Sequence, residues 1–79
     1  MNDITPRVIQ VMSARSGMPT AELGTETELT ALDLDSLSLM EIGFDLEREF
    51  DVPLDDGRVA AANTLGDLVA AVEDRVPQP

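Results

Sequence analysis

Apolar residues recur at helical spacing in three stretches of the chain and thin out between them. Ile4, Val8, Val11 and Met12 share one face of a helix over residues 4–16. Thr5-Pro6 suits an N-cap followed by proline at the first helical position, Asp3 could cap one turn earlier, and Gly17 is a natural stop. Residues 18–35, with Pro19, Gly24 and several Thr, read as a long loop; Leu23, Leu29 and Leu32 are spaced too irregularly for a strand or helix and are expected to pin it to the core. The strongest helical signal runs from Ser36 to Phe50, with Asp35 or Ser36 as cap and Ser38 with Glu41 as an alternative capping box. Pro53 breaks the pattern within 51–54, and Asp55 and Asp56 can start a short helix through Arg58 to Ala62. Thr64 then caps a last helix whose Leu65, Leu68, Val69, Val72 and Val76 form a stripe ended by Pro77. Nothing alternates as a strand does. The expected fold class is all-α: a small four-helix bundle, three longer helices plus one short one, with a long loop between the first two.

On a wheel of 100° per residue, helix 36–50 carries two apolar stripes. Leu39, Ile42, Leu46 and Phe50 fall within about 80° of one another and suffice to dock the helix on a core. Leu37, Met40 and Phe44 lie about 100–160° further round, bordered by Glu41 and Glu47. A bundle this small can hardly bury both. The second stripe can pack under the 18–35 loop or form an exposed, acid-rimmed docking face, adaptable because of Met40; the two are not exclusive, and docking is the expectation.

Composition narrows the chemistry. The 79 residues make one small domain, 1–79, and Leu, Ile, Val and Phe supply 22 of them, enough for a thin core. Phe44 and Phe50 are the only aromatics available to fill it. Sixteen acids against five Arg and no Lys give a net charge of −11. Such a surface repels nucleic acid and anionic membrane and attracts a protein bearing a basic patch. Without His, Cys or Lys there is no Ser-His-Asp triad, thiol nucleophile, Schiff base or thiolate/imidazole zinc site. An enzyme is thus not expected. No apolar run approaches a bilayer span and the first 12 residues lack signal-peptide character, so the expected location is cytoplasmic. Asp33-Leu34-Asp35 opens like a calcium loop, but Leu37, Ser38 and Phe44 stand at its fifth, sixth and twelfth positions, so no metal site is expected there.

The run Leu32-Asp33-Leu34-Asp35-Ser36-Leu37, then Met40-Glu41 and Leu46-Glu47-Arg48-Glu49-Phe50-Asp51, resembles the acyl carrier protein family, whose signature is Asp-Ser-Leu at the start of the second helix. A bare Asp-Ser-Leu is common, but here length, charge and helix order agree with it along nearly the whole chain. The resemblance implies a freestanding carrier in which Ser36 receives 4′-phosphopantetheine from coenzyme A through a phosphopantetheinyl transferase. It also implies that Asp35 supports recognition, with Leu37 beside it, and that the arm supplies the thiol that the chain lacks. A phosphodiester there would face the positive end of a helix. The bland reading of Ser36 is an N-cap alone, and that of the acids a solvated face.

Four positions depart from the family pattern. Asp33 stands where Gly is common, Gly43 sits inside a helix, Phe44 is bulkier than usual and Arg48 interrupts the acidic face. These differences point away from the partners of standard fatty-acid synthesis. The expected function is therefore carriage of acyl or polyketide-type thioesters by a monomer, delivered to an acyl-loading enzyme and to ketosynthase-type or other synthase partners. Leu37, Met40, Glu41, Phe44 and Glu47 are the expected partner-binding residues. Two alternatives compete: a peptidyl or aminoacyl carrier, against which Leu34 argues because Gly-rich residues often precede the serine there, and an unmodified acidic interaction module.

Overall fold

A computed structural model describes residues 3–76. Four helices follow one another: α1 (Ile4–Ser16), α2 (Ser36–Phe50), α3 (Asp56–Ala61) and α4 (Leu65–Glu73). No strand occurs among the described residues; a single antiparallel bridge joins Glu28 to Thr64. The all-α expectation holds.

Helix α1 covers the expected residues 4–16, and of its two candidate caps the position falls to Asp3 rather than Thr5, without a side-chain hydrogen bond. The helix stops at Gly17, whose φ of 77° is left-handed and whose N–H donates to the Ser13 carbonyl at 3.0 Å. At the other end, Thr64 and Asp67 form a reciprocal capping box on α4. That helix ends at Glu73, ahead of the Pro77 stop, which lies outside the described residues. The short helix begins at Asp56, with the Asp55 carboxylate accepting from the Gly57 and Arg58 amides.

Ile4, Val8 and Met12 of α1, Ile42 and Leu46 of α2, Val59 of α3, and Leu65, Leu68, Val69 and Val72 of α4 form one buried cluster. Complete burial of a side chain of this size contributes roughly 1.5–3 kcal/mol, so aliphatic packing can sustain the fold without aromatic filling. Neither phenylalanine is fully buried: Phe50 is half-buried beneath the Arg7 guanidinium, 4.4 Å from its ring centre, and Phe44 is exposed.

Residues 18–35 are more ordered than a plain loop. Two 3₁₀ turns, Thr20–Glu22 and Leu29–Leu32, interrupt them, and Leu23 and Leu29 are buried while Leu32 is half-buried. The middle of the segment is tied to the head of α4 by backbone hydrogen bonds. The Leu65 amide donates to Thr27 (2.9 Å), the Gly66 amide to Thr25 (2.9 Å), and the Leu29 amide to Asn63 (2.9 Å). Acceptors are thereby supplied to two first-turn amides of α4 that the helix itself cannot satisfy. Gly66 is obligatory at this approach: an added Cβ would stand 2.8 Å from the Thr25 carbonyl oxygen.

Candidate functional site

Asp33, Asp35 and Ser36 build the entry to α2. Asp33 has a φ of 58°, the left-handed region where glycine is at home and aspartate is among the better-tolerated alternatives. This accounts for the family's preference for Gly at the position. Asp35 is the N-cap: its carboxylate accepts from the Ser38 amide at 2.8 Å, and its carbonyl accepts from the Leu39 amide at 3.0 Å. The hydrogen bond from the Ser38 backbone, reinforced by the Ser38 side chain, holds the Asp35 carboxyl below its usual pKa. The alternative capping box on Ser38 is not formed.

Since Asp35 caps the helix, Ser36 does not. It is the first helical residue, it is exposed, and its hydroxyl has no hydrogen-bond partner among the described residues. The amides of Ser36 and Leu37 have no acceptor within the helix. An unpaired hydroxyl thus stands exposed at the positive end of a 15-residue helix.

Below it, a groove of about 250 Å³ runs from Ser36 over Leu39, Met40, Gly43 and Phe44 of α2 towards Val59 of α3. Gly43 makes the two helices approach closely, since a Cβ there would lie 3.3 Å from a Val59 methyl carbon. Asp56 and Ala60 complete the α3 side. Nothing in the sequence pattern places α3 in this site. An uncapped glycine in a strong helical pattern was the available signal for close packing.

The second apolar stripe does not pack under the loop. Leu37, Met40 and Phe44 are 64, 55 and 47 % exposed. Glu41 is exposed at one border and lies 3.7 Å from Arg15 of α1. Glu47, at the other, is half-buried, and its carboxylate accepts from the Leu54 amide at 2.8 Å, which fixes the turn after α2. The opposite flank of α2 is braced to α1. Arg7 donates to the Glu49 side chain (3.0 Å) and backbone carbonyl (2.6 Å), and Arg15 grips Asp45 at 2.5 and 3.2 Å. Arg48 also donates to Asp45.

A family model described as a phosphopantetheine attachment site matches residues 6–72. The chain belongs to this family. Full-length similarity agrees: it is 31% identical over 75 residues to the acyl carrier protein of Thermotoga maritima, covering 94% of this chain and 93% of that protein. It is 33% identical over 69 residues to the acyl carrier protein of Streptococcus thermophilus, covering 87% of this chain and 90% of that one. It is also 34% identical over 77 residues to a non-reducing polyketide synthase of Aspergillus terreus, covering 98% of this chain but only 3% of the synthase. The protein is an acyl carrier, not a catalyst, and its prosthetic group is 4′-phosphopantetheine. The residues fit a serine-linked phosphodiester: an unpaired, accessible hydroxyl sits at the positive end of a helix, beside an apolar groove. Among the described residues no helix is long and apolar enough to cross a membrane.

Proposed function

We propose that this carrier takes phosphopantetheine on Ser36 and presents acyl or polyketide-type thioesters to synthase enzymes. The observation that carries the reading is the division of labour at the α2 entry: Asp35 caps, so the Ser36 hydroxyl is left unpaired and exposed. In the loading step, Ser36 Oγ forms a new bond to the phosphorus of coenzyme A that bears the pantetheine, the pyrophosphate bond breaks, and adenosine 3′,5′-bisphosphate leaves. The serine proton passes to a base of the transferase. When bound, the arm supplies the thiol that holds cargo as a thioester.

Asp35 and the α2 amides orient the attachment point, and Leu37, Met40, Glu41, Phe44 and Glu47 form the face that partners meet. Glu47 acts there largely by holding the turn at Leu54. The transferase, an acyl-loading enzyme and ketosynthase-type partners dock through basic patches, so association is steered by charge and weakens with salt. A net charge of −11 favours a monomer kept away from anionic surfaces, and the setting is cytoplasmic on this reading. The likeness to a polyketide synthase segment and the Phe44 and Arg48 departures support a specialised pathway.

Intact mass after incubation with coenzyme A, magnesium and a permissive transferase is the test. Wild type is expected to gain one phosphopantetheinyl group and Ser36→Ala none. No gain in wild type, or an equal gain in the variant, overturns the assignment.

A further inference from the structure

Arg48 is the exception on the exposed face of α2. On the 100° wheel it falls about 20° from Leu37 and 40° from Phe44, at the edge of the apolar stripe between Leu37 and Glu41. One helical turn separates it from Phe44. Its side chain is 74 % exposed, against 36, 38 and 41 % for Arg7, Arg15 and Arg58. The neighbouring ionisable groups on this side of α2 are Glu41, Asp45, Glu47 and Asp51, so one guanidinium interrupts a field of carboxylates.

The ion pair of Arg48 is also expendable. Asp45 is held by Arg15 through two nitrogen–oxygen contacts, its carboxyl is only 18 % exposed, and Arg15 reaches Glu41 as well. If Arg48 turns outward, Asp45 remains neutralised, and the network joining α1 to α2 keeps both of its anchors. A pair three residues apart on one helix, with its cation exposed and its acid already held by Arg15, contributes little to stability, so redirecting this cation costs the fold little.

We infer that Arg48 selects among partners by pairing with a carboxylate on the cognate synthase, about 18 Å along α2 from Ser36. This rests on the reading of α2 as the docking face. The matching surface is a basic patch holding one Asp or Glu where the far end of α2 lands. A uniformly basic patch is disfavoured, because its cation opposite Arg48 repels. The planar guanidinium suits a two-point grip on that carboxylate, which lysine would not reproduce.

The probe is a ketosynthase whose carrier-facing patch contains only Arg and Lys, assayed for acyl transfer from the loaded carrier. Arg48→Glu is expected to raise kcat/KM severalfold over wild type, with circular dichroism unchanged. Glu is then placed at each patch position of the ketosynthase in turn. One position should reverse the order, favouring wild type over Arg48→Glu, and Arg48→Lys should recover only part of that preference. Phe44→Ala serves as the control for docking itself. If Phe44→Ala lowers transfer while Arg48→Glu matches wild type and no position reverses the order, the role of Arg48 is overturned and the docking face stands. If Phe44→Ala and Arg48→Glu both leave transfer unchanged, the docking face falls, and the role of Arg48 with it.

Discussion

Asp45 and Asp35 are carboxylates on one helix held below their ordinary pKa for different reasons. At Asp35 the cause is backbone capping; at Asp45 it is chiefly the hydrogen bonds from Arg15, then the charges of Arg15 and Arg48. A carboxyl whose pKa is depressed by folding binds fewer protons in the native state than in the unfolded one. Its contribution is therefore complete above the unfolded value, near 3.8, and is lost as pH falls towards the folded value. Asp45→Asn should accordingly melt below wild type at about pH 7, and the gap should close as pH drops below about 4. Thermal melts followed by circular dichroism across that range check this; a gap constant with pH would mean that Asp45 contributes by shape and not by charge. Ser36 is the opposite case, in that no hydrogen bond among the described residues depends on its hydroxyl.

At the scale of elements, the long segment between α1 and α2 matters most. Gly66→Ala should destabilise the protein by about 1–3 kcal/mol, because the new methyl carbon meets the Thr25 carbonyl and one of the two must move. Urea denaturation reads the loss, and hydrogen exchange should show it concentrated at the amides of Leu65 and Gly66, whose acceptors lie in the segment. Much of this organisation was legible in the sequence. The bounds of α2, the stop at Gly17, the capping of α4 by Thr64 and the pinning role of Leu23 and Leu29 all follow from local rules that one helix or one turn can obey alone. What escaped was non-local. The bridge from Glu28 to Thr64, the notch in which Gly43 receives Val59, and the contact of Gly66 with Thr25 each join residues far apart in the chain. A glycine states only that something comes close, not what. The N-cap of α1 escaped for another reason: Asp3 and Thr5 are both acceptable caps, and nothing in the local pattern decides between them. Likewise, the exposure of Leu37, Met40 and Phe44 could not be separated from burial beneath the loop until the loop's own anchorage to α4 was known.

For the whole molecule, charge opposes compactness. Sixteen acids share the surface with five arginines, and the arginines near α2 are already engaged with Glu49, Glu41 and Asp45. Self-repulsion remains, and it should yield to screening. Raising NaCl from a few millimolar to about 0.15 M, where the Debye length is about 8 Å, should raise Tm. Each 1 kcal/mol of relief corresponds to roughly 4–8 °C in a domain of this size. A Tm unmoved or lowered by salt would contradict this. Finally, the pinned crossover has a consequence for how such a shuttle works. With Leu29 anchored and a single 3₁₀ turn leading on to Asp33, the proposed attachment point at Ser36 is splinted to the body. Any sweep through space then belongs to the prosthetic arm or to tumbling of the entire particle, so deliveries proceed as sequential visits, one customer released before the next is served.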